Sequence, residues 1–574
     1  MDQTEKRNLW IAVILSTLVF IGWHHFFDKP QPILTNQEQA AAATADVPLD
    51  IKKPQALLSR DVALAGDQRL TIDTPELQGS LSLKGARFDD LKLKNYHVTP
   101  SLESAQVDLL DPYGTKEAYY GQFGWIGDTA ADALPNEDTM WQADQTQLTP
   151  TTPVTLHYQN DQGVIFQQVI SVDEKYLFTV TQKVINSSQQ TLPLQVYGAI
   201  SRHGVPETQG FFILHEGPIG YLNQKLIEAT YKDLSKKEQS LESTGGWLGI
   251  TDKYWLTALI PDQTMLVKTS FRETGGQGQE HYQISFTTQP YSIKPGETYE
   301  KISHFFAGAK ILNELDSYEQ KLGIPHFDRA VDFGWFYFLT KPIFHLLTWT
   351  HQWLGNFGLA IMLLTVVLKV LFFPLASKSY RSMARMKTLQ PQMEKLRARY
   401  SDDKLKMNQE VMQLYKREKV NPMAGCLPML VQIPVFFALY KVLFVSIEMR
   451  HAPFYGWIHD LAAPDPTTIF NLFGLIPWTP PAFLMLGAWP IVMGITMFIQ
   501  QKLNPPPADP MQAKVFLLMP IMFTYMLAAF PAGLVIYWTW NNILTIAQQW
   551  TIMRLAEKEK IQEIQQIKSR KKRL

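Results

Sequence analysis

One lysine stands inside an otherwise apolar run. In the stretch Phe357 to Ala376, Lys369 is flanked by Leu368, Val370, Leu371, Phe372 and Phe373. An ammonium held in hydrocarbon costs at least ~2.5 kcal/mol on the mildest scale, so such a group faces water or a partner, or else snorkels along its stem to an interface. At 1.5 Å per residue it lies roughly 18 Å from the start of the run and ~10 Å from its end. The later apolar runs hold no acidic residue, apart from Glu448 at an edge. That disfavours an internal ion pair and favours a water-filled cavity. Thr365, one turn earlier, and Gln432, Asn541 and Asn542 on other runs could line it, or could serve as hydrogen bonds between helices. The chemistry open to this set is non-covalent: one positive charge, with hydroxyl and amide groups, binding acidic or polar chain segments. Ile433, Pro434, Phe436, Met519, Pro520, Phe523 and Met526 offer apolar faces beside it. Met and Pro suit a surface that accepts many shapes, and are equally ordinary as bundle core.

Covalent chemistry has little support. The only cysteine is Cys426, so an intrachain disulfide, a CxxC metal site and a cysteine redox pair are all excluded. There is no P-loop, no GxGxxG after a strand and no HExxH, and the His and Asp residues of the polar middle fall in no catalytic spacing. The expectation is a protein that is not an enzyme, with no cofactor and no metal.

The elements that must position these residues follow from composition by region. Over 574 residues Lys+Arg and Asp+Glu balance at 53 each, and a mean hydropathy of −0.11 averages two different solvents. Residues 1–27 contain an apolar run from Leu9 to Phe27, long enough for a membrane-spanning anchor. No small-x-small site follows it closely, which argues against a cleaved signal peptide. Residues 28–55 read as a flexible linker. From 56 to 330 the apolar period is two, as in Leu81 and Leu83, Leu91 and Leu93, and Tyr282, Ile284 and Phe286, with a hairpin turn at Asn160-Asp161-Gln162-Gly163. The spacing predicts an antiparallel β-sandwich. Residues 331–355, rich in aromatics and interrupted by Lys341, His345 and His351, suit an amphipathic helix at the membrane interface, or a core helix of the sandwich. Apolar runs then occupy 356–376 and, within 426–553, Cys426 to Ile447, Phe483 to Ile499, Val515 to Phe530 and Leu534 to Ile552. Six transmembrane helices result.

Charge orients them. Residues 377–425 are dense in Lys and Arg, including Arg381, Arg385, Lys395, Arg397 and Arg399, and the tail 554–574 ends KSRKKRL, whereas 448–480 carries only Arg450. The positive-inside rule puts both termini and the 377–425 loop in the cytoplasm and the sandwich outside. Met383, Met386, Leu389, Met393, Leu396 and Tyr400 recur at steps of three and four, so the loop reads as a basic helical hairpin, bent at Pro391. It is either a solvated loop or a surface facing substrate or ribosome. Lys441, near an outer helix end, is expected to snorkel.

The run EKVNPMAGCLPMLVQIPVFFALYKVL (418–443) resembles the third-span signature of YidC-type insertases. GNFGLAIMLLTVVLKVLFFPL (355–375), DPMQAKVFLLMPIMFTYMLAAFPAGLVIYW (509–538) and GGWLGITDKYW (245–255) are similar to the same family in the same order. The resemblance covers nearly the whole chain. It implies a multi-domain inner-membrane protein of the long Gram-negative form, with an uncleaved first span, a mutarotase-like periplasmic sandwich and a five-helix core. It further implies insertion and folding of nascent membrane proteins in the lipid bilayer, alone or with the Sec translocon. Two departures stand out: Lys369 where the family usually has Arg, which forfeits bidentate hydrogen bonding, and a longer stretch at 471–490. The rival functions are a solute transporter, which would need acidic partners in the spans and inverted repeats, and a membrane-tethered sugar enzyme.

Overall fold

Side chains alternating along short strands between residues 69 and 309 build two stacked sheets in the computed structural model. It describes residues 47, 57–127, 134–208, 214–275, 280–334, 336–400, 403–418, 420, 427–478, 480–481, 484–504 and 510–571. The expected anchor (1–27), most of the linker, Cys426 and the last three residues lie outside them. One sheet has eleven strands, running from Gln239–Thr244 at one edge to Gln147–Leu148 at the other. The second has nine, from Lys225–Glu228 to Gln142–Ala143. Among the described strands of the two sheets pairing is antiparallel, except where Thr71 and Ile72 lie parallel to Gln147 and Leu148. The expected hairpin joins Val154–Gln159 to Val164–Val172. Asn160 accepts from the Val164 amide at 2.9 Å through Oδ1, and Gly163 takes φ +83°, a conformation that costs glycine little.

Between the sheets, Phe88 and Phe123 of the larger meet Phe178 and Phe305 of the smaller, with ring centroids 5.2–6.2 Å apart. The period of two does not mean one wet face everywhere. In His281–Thr288 all eight residues are buried, because the strand is central and covered on both sides. Polar core groups are tied across the gap: Gln168 donates to the Phe123 carbonyl at 2.8 Å and Gln182 to that of Gly124 at 2.7 Å.

His281 is part of this core, its ring 4.4 Å from that of His203. Burial first, then the charges of His203 and Arg272, lowers its pKa to about 3, against an ordinary ~6.5. Between those values the unfolded chain binds the proton and the folded chain does not. The stability contribution is therefore full above pH ~6.5 and is lost as acid is added, by up to ~1.4 kcal/mol per pH unit. Melts of the full chain from pH 7 to pH 4 should show this slope flattened in His281→Gln. Equal slopes in the two proteins would remove the account.

The helices are α1 (Arg60–Gly66), α2 (Tyr231–Leu234), α3 (Leu312–Leu322), α4 (Tyr337–Leu354), α5 (Phe357–Leu371), α6 (Phe373–Arg399), α7 (Lys404–Arg417), α8 (Leu427–Val445), α9 (Ala488–Leu503), α10 (Pro510–Leu527) and α11 (Ala532–Lys571). Helix α3 lays Leu312, Leu315 and Tyr318 on the sandwich and ends at Gly323 in the left-handed conformation. A 3-10 turn at Phe327–Ala330 then seats Phe327 against Trp247 and Phe306. Helix α4 buries Thr340, Ile343, Phe344, Leu347 and Thr350 and exposes Phe338, Trp349 and Trp353. Its open side thus carries large apolar side chains together with His345 and Gln352.

Several expectations change. The run 356–376 is not one helix: α5 and α6 meet at Phe372 with a bend of 68°. Pro374 in the first turn of α6 lacks the N–H that would continue α5, and its ring crowds the carbonyl one turn back. Helix α6, by contrast, runs on through Pro391. The fourth apolar run becomes helical only at Ala488, and the tail from 554 continues α11 without a break to Lys571. Lys441 does not snorkel. Its ammonium pairs with Asp332 at 3.0 Å, and the Asp332 side chain also accepts from the His215 and Gly334 amides. Among the described residues no single helix is long and apolar enough to cross a membrane; the bent pair α5–α6 meets that test jointly.

Candidate functional site

The break at Phe372 sets the site. It leaves Lys369 in the last turn of α5, where unpaired carbonyls carry partial negative charge that favours a cation. From there the side chain reaches α11, donating from Nζ to the Thr545 hydroxyl at 2.6 Å. That hydroxyl in turn donates to the Asn541 carbonyl, one turn back, at 2.6 Å.

Around this contact α5, α6, α8, α9, α10 and α11 enclose a cavity of about 330 Å³. Lys369, Thr365, Gln432, Asn541 and Asn542 all line it, although they come from three separate helices. Of the apolar candidates Ile433, Phe436, Met519 and Pro520 line it, while Pro434, Phe523 and Met526 do not. Phe523 instead packs beside Trp538, with centroids 5.9 Å apart, and Met526 is exposed. Phe436 stands edge-on to the same Trp538 at 4.7 Å.

The polar lining is partly committed. Thr365 donates to the carbonyl of Ile361 at 2.7 Å, Asn542 to Thr496 at 3.1 Å and Gln432 to the Tyr537 hydroxyl at 3.5 Å. No carboxylate occurs among the described lining residues. The arrangement is thus a cationic, amide-rich recess whose walls are mostly apolar. It can hold an anionic or polar group by charge and hydrogen bonding.

Thr545 and Gln549 escaped the sequence reading. With Asn541 they form a ladder at steps of four on α11, all three buried. Polar residues spaced by one helical turn on an apolar helix are a signal that could have found them. Gln500 and Gln501 of α9, and Asn504 just after it, also reach the cavity.

The basic residues of the hairpin stay outside the cavity. Arg385, Lys395 and Arg399 are exposed and Arg397 half-buried, and Arg381 makes an exposed pair with Glu559 at 3.2 Å. The apolar stripe of α6 divides between two partners. Leu389 and Met393 pack on Val411, Leu414 and Tyr415 of α7, whereas Met383 joins Ala376, Tyr380 and Ile552 of α11.

Comparison with known proteins is consistent along the chain. Residues 69–346 match the family described as YidC periplasmic domain, and residues 349–560 that described as 60Kd inner membrane protein. The membrane protein insertase YidC of Methylorubrum extorquens is 49% identical over 589 residues, covering 96% of this chain and 95% of that protein. That of Rickettsia felis is 50% identical over 554 residues, covering 95% and 98%. Among solved structures, an active YidC insertase with its first transmembrane domain resolved aligns over 84% of this chain and 92% of its own, at 17% identity and a TM-score of 0.36. A galactose mutarotase related enzyme from Lactobacillus acidophilus aligns over 42% and 97%, at 9% identity and a TM-score of 0.29.

Proposed function

This chain belongs to the YidC family of membrane protein insertases, and we propose that the recess around Lys369 receives the polar part of each incoming segment. It is an inner-membrane insertase for nascent membrane proteins rather than an enzyme, and its sandwich is the family's periplasmic domain.

In this reading the recess is hydrated and opens to the cytoplasm and to lipid. Its volume of about 330 Å³ is far more than the space a single water needs. An acidic or polar leading segment is drawn in by the ammonium and hydrogen-bonded by Gln432, Asn541 and Asn542. The hydrophobic part that follows lies along Ile433, Phe436, Met519 and Pro520, and leaves sideways into lipid past Pro434, Phe523 and Met526. The single observation that carries this is one ammonium, held by Thr545, in a recess with no described carboxylate.

The same reading gives the chain six spans, both termini in the cytoplasm, and a basic hairpin through which Arg381, Arg385, Lys395, Arg397 and Arg399 attract the ribosome. It works alone or with the Sec translocon. The test is reconstitution of the purified chain in liposomes with a short single-span substrate. The expected result is protease protection of the translocated end. Solute flux without protection would mark a transporter, and saccharide turnover a sugar enzyme; either would overturn the reading.

A further inference from the structure

We propose that Glu319, His326 and Asp328 form a binding site for one divalent transition-metal ion of the zinc class, on the sandwich side of its joint with α4. The ligand atoms of the three side chains lie within 4.8 Å of one another. They come from three consecutive local structures: the C-terminal half of α3, the turn that follows Gly323, and the 3-10 turn at Phe327–Ala330. Ligands on one tetrahedral Zn²⁺ at about 2.1 Å stand ~3.4 Å apart, so side-chain movements of about 1–1.5 Å bring the set to bonding distance.

A second observation, independent of the clustering, points to a cation. Asp328 is 1% exposed. Its Oδ2 accepts from Lys341 Nζ at 2.6 Å and from the Tyr337 hydroxyl, but its Oδ1 is buried with no hydrogen-bond partner, and Glu319 Oε2 is in the same state. Buried carboxylate oxygens are ordinarily satisfied by donors or by a metal. The neighbouring cations do not supply this. Lys341 is engaged by Asp316 at 2.8 Å as well as by Asp328 Oδ2, and the Arg329 guanidinium lies over the Tyr337 ring, 4.0 Å from its centroid. Asp316, Glu319 and Asp328 thus outnumber the two cations beside them.

His326 completes the set from the solvent side. It is exposed and held at φ +49°, ψ +45°, with its ring 4.9 Å from that of Tyr221. A non-glycine residue seldom takes that backbone conformation. Here it brings a ring nitrogen within 4.8 Å of a carboxylate oxygen of Glu319 and of Asp328. One imidazole with two carboxylates suits Zn²⁺ and its first-row neighbours better than Mg²⁺ or Ca²⁺, which prefer oxygen alone. Exposure at His326 leaves a fourth position open to water, as in sites with three protein ligands. A bound ion would fasten the end of α3 to the 3-10 turn and, through Asp328 and Lys341, to α4.

The test uses the full chain, purified metal-free in detergent, with ZnCl₂ titrated against a chromophoric chelator in the presence of excess Mg²⁺. One saturable equivalent is expected, and Zn²⁺ should raise the melting temperature. Glu319→Gln and His326→Asn should each weaken binding at least ~tenfold and remove the thermal shift. Asparagine tolerates the left-handed backbone, so metal-free melts matching the native chain confirm that the variants fold. Absence of a saturable site overturns the proposal. So does full-strength binding in either variant, which would put the ion on other side chains.

Discussion

Lys369→Glu is expected to lower insertion of a short substrate with an acidic leading segment by about a hundredfold, equivalent to ~2.8 kcal/mol. The recess has no described carboxylate, so this change replaces its one described ammonium by a charge that repels the substrate at close range. Lys369→Ala removes attraction without adding repulsion and should cost about tenfold, most for acidic leading segments and least for neutral ones. Lys369→Arg should keep most activity, since the charge persists. Thr545→Val takes away the hydroxyl that accepts from Nζ at 2.6 Å, and should produce a smaller loss of the same substrate pattern. Initial rates of protease protection in proteoliposomes measure all four. An Ala variant as active as the native chain on every substrate would end the electrostatic account.

Asp332→Ala should destabilise the joint between sandwich and helices by about 3 kcal/mol, in the range for breaking a largely buried pair. The Asp332 side chain gathers the Lys441 ammonium of α8 and the amides of His215 and Gly334. Removing it takes a counter-charge from a mostly buried lysine and leaves two backbone donors without their acceptor. The melting temperature should fall, and trypsin should cut faster between the sandwich and α4. The double variant Asp332→Ala, Lys441→Met should recover part of the loss, because the two groups are coupled. Strictly additive losses would show that the pair contributes nothing of its own.

Much of the molecule was legible from local pattern. The sandwich announced itself through alternation, the 160–163 hairpin through its turn residues, and α6 through apolar positions at steps of three and four facing basic ones. Each of these signals resides in neighbouring residues. The lysine in an apolar run was legible for the same reason. So were Gln432, Asn541 and Asn542, since a polar side chain on an apolar helix is conspicuous wherever the helix goes.

Less was legible where the answer depended on what a segment packs against. Alternation at Tyr282 to Phe286 named the inner face, but could not reveal that Gln283 and Ser285 are buried too. Lys441 read as a solitary cation because Asp332 is 109 residues away. Pro391 and Pro374 look alike in sequence, yet α6 runs on through the first, whereas α5 ends ahead of the second.

By itself the sequence determined the division into an alternating polar region and a helical apolar one, the identity of the charged and amide groups on the helices, and family membership. Those properties are carried by residue type and short-range spacing. The tertiary structure decided that Lys369 ends its helix at a 68° break, that its partner is Thr545, 176 positions on, and that helices distant in sequence close one recess around it. Such contacts arise only when segments far apart pack together, and no periodicity within a single segment encodes which neighbour it will meet.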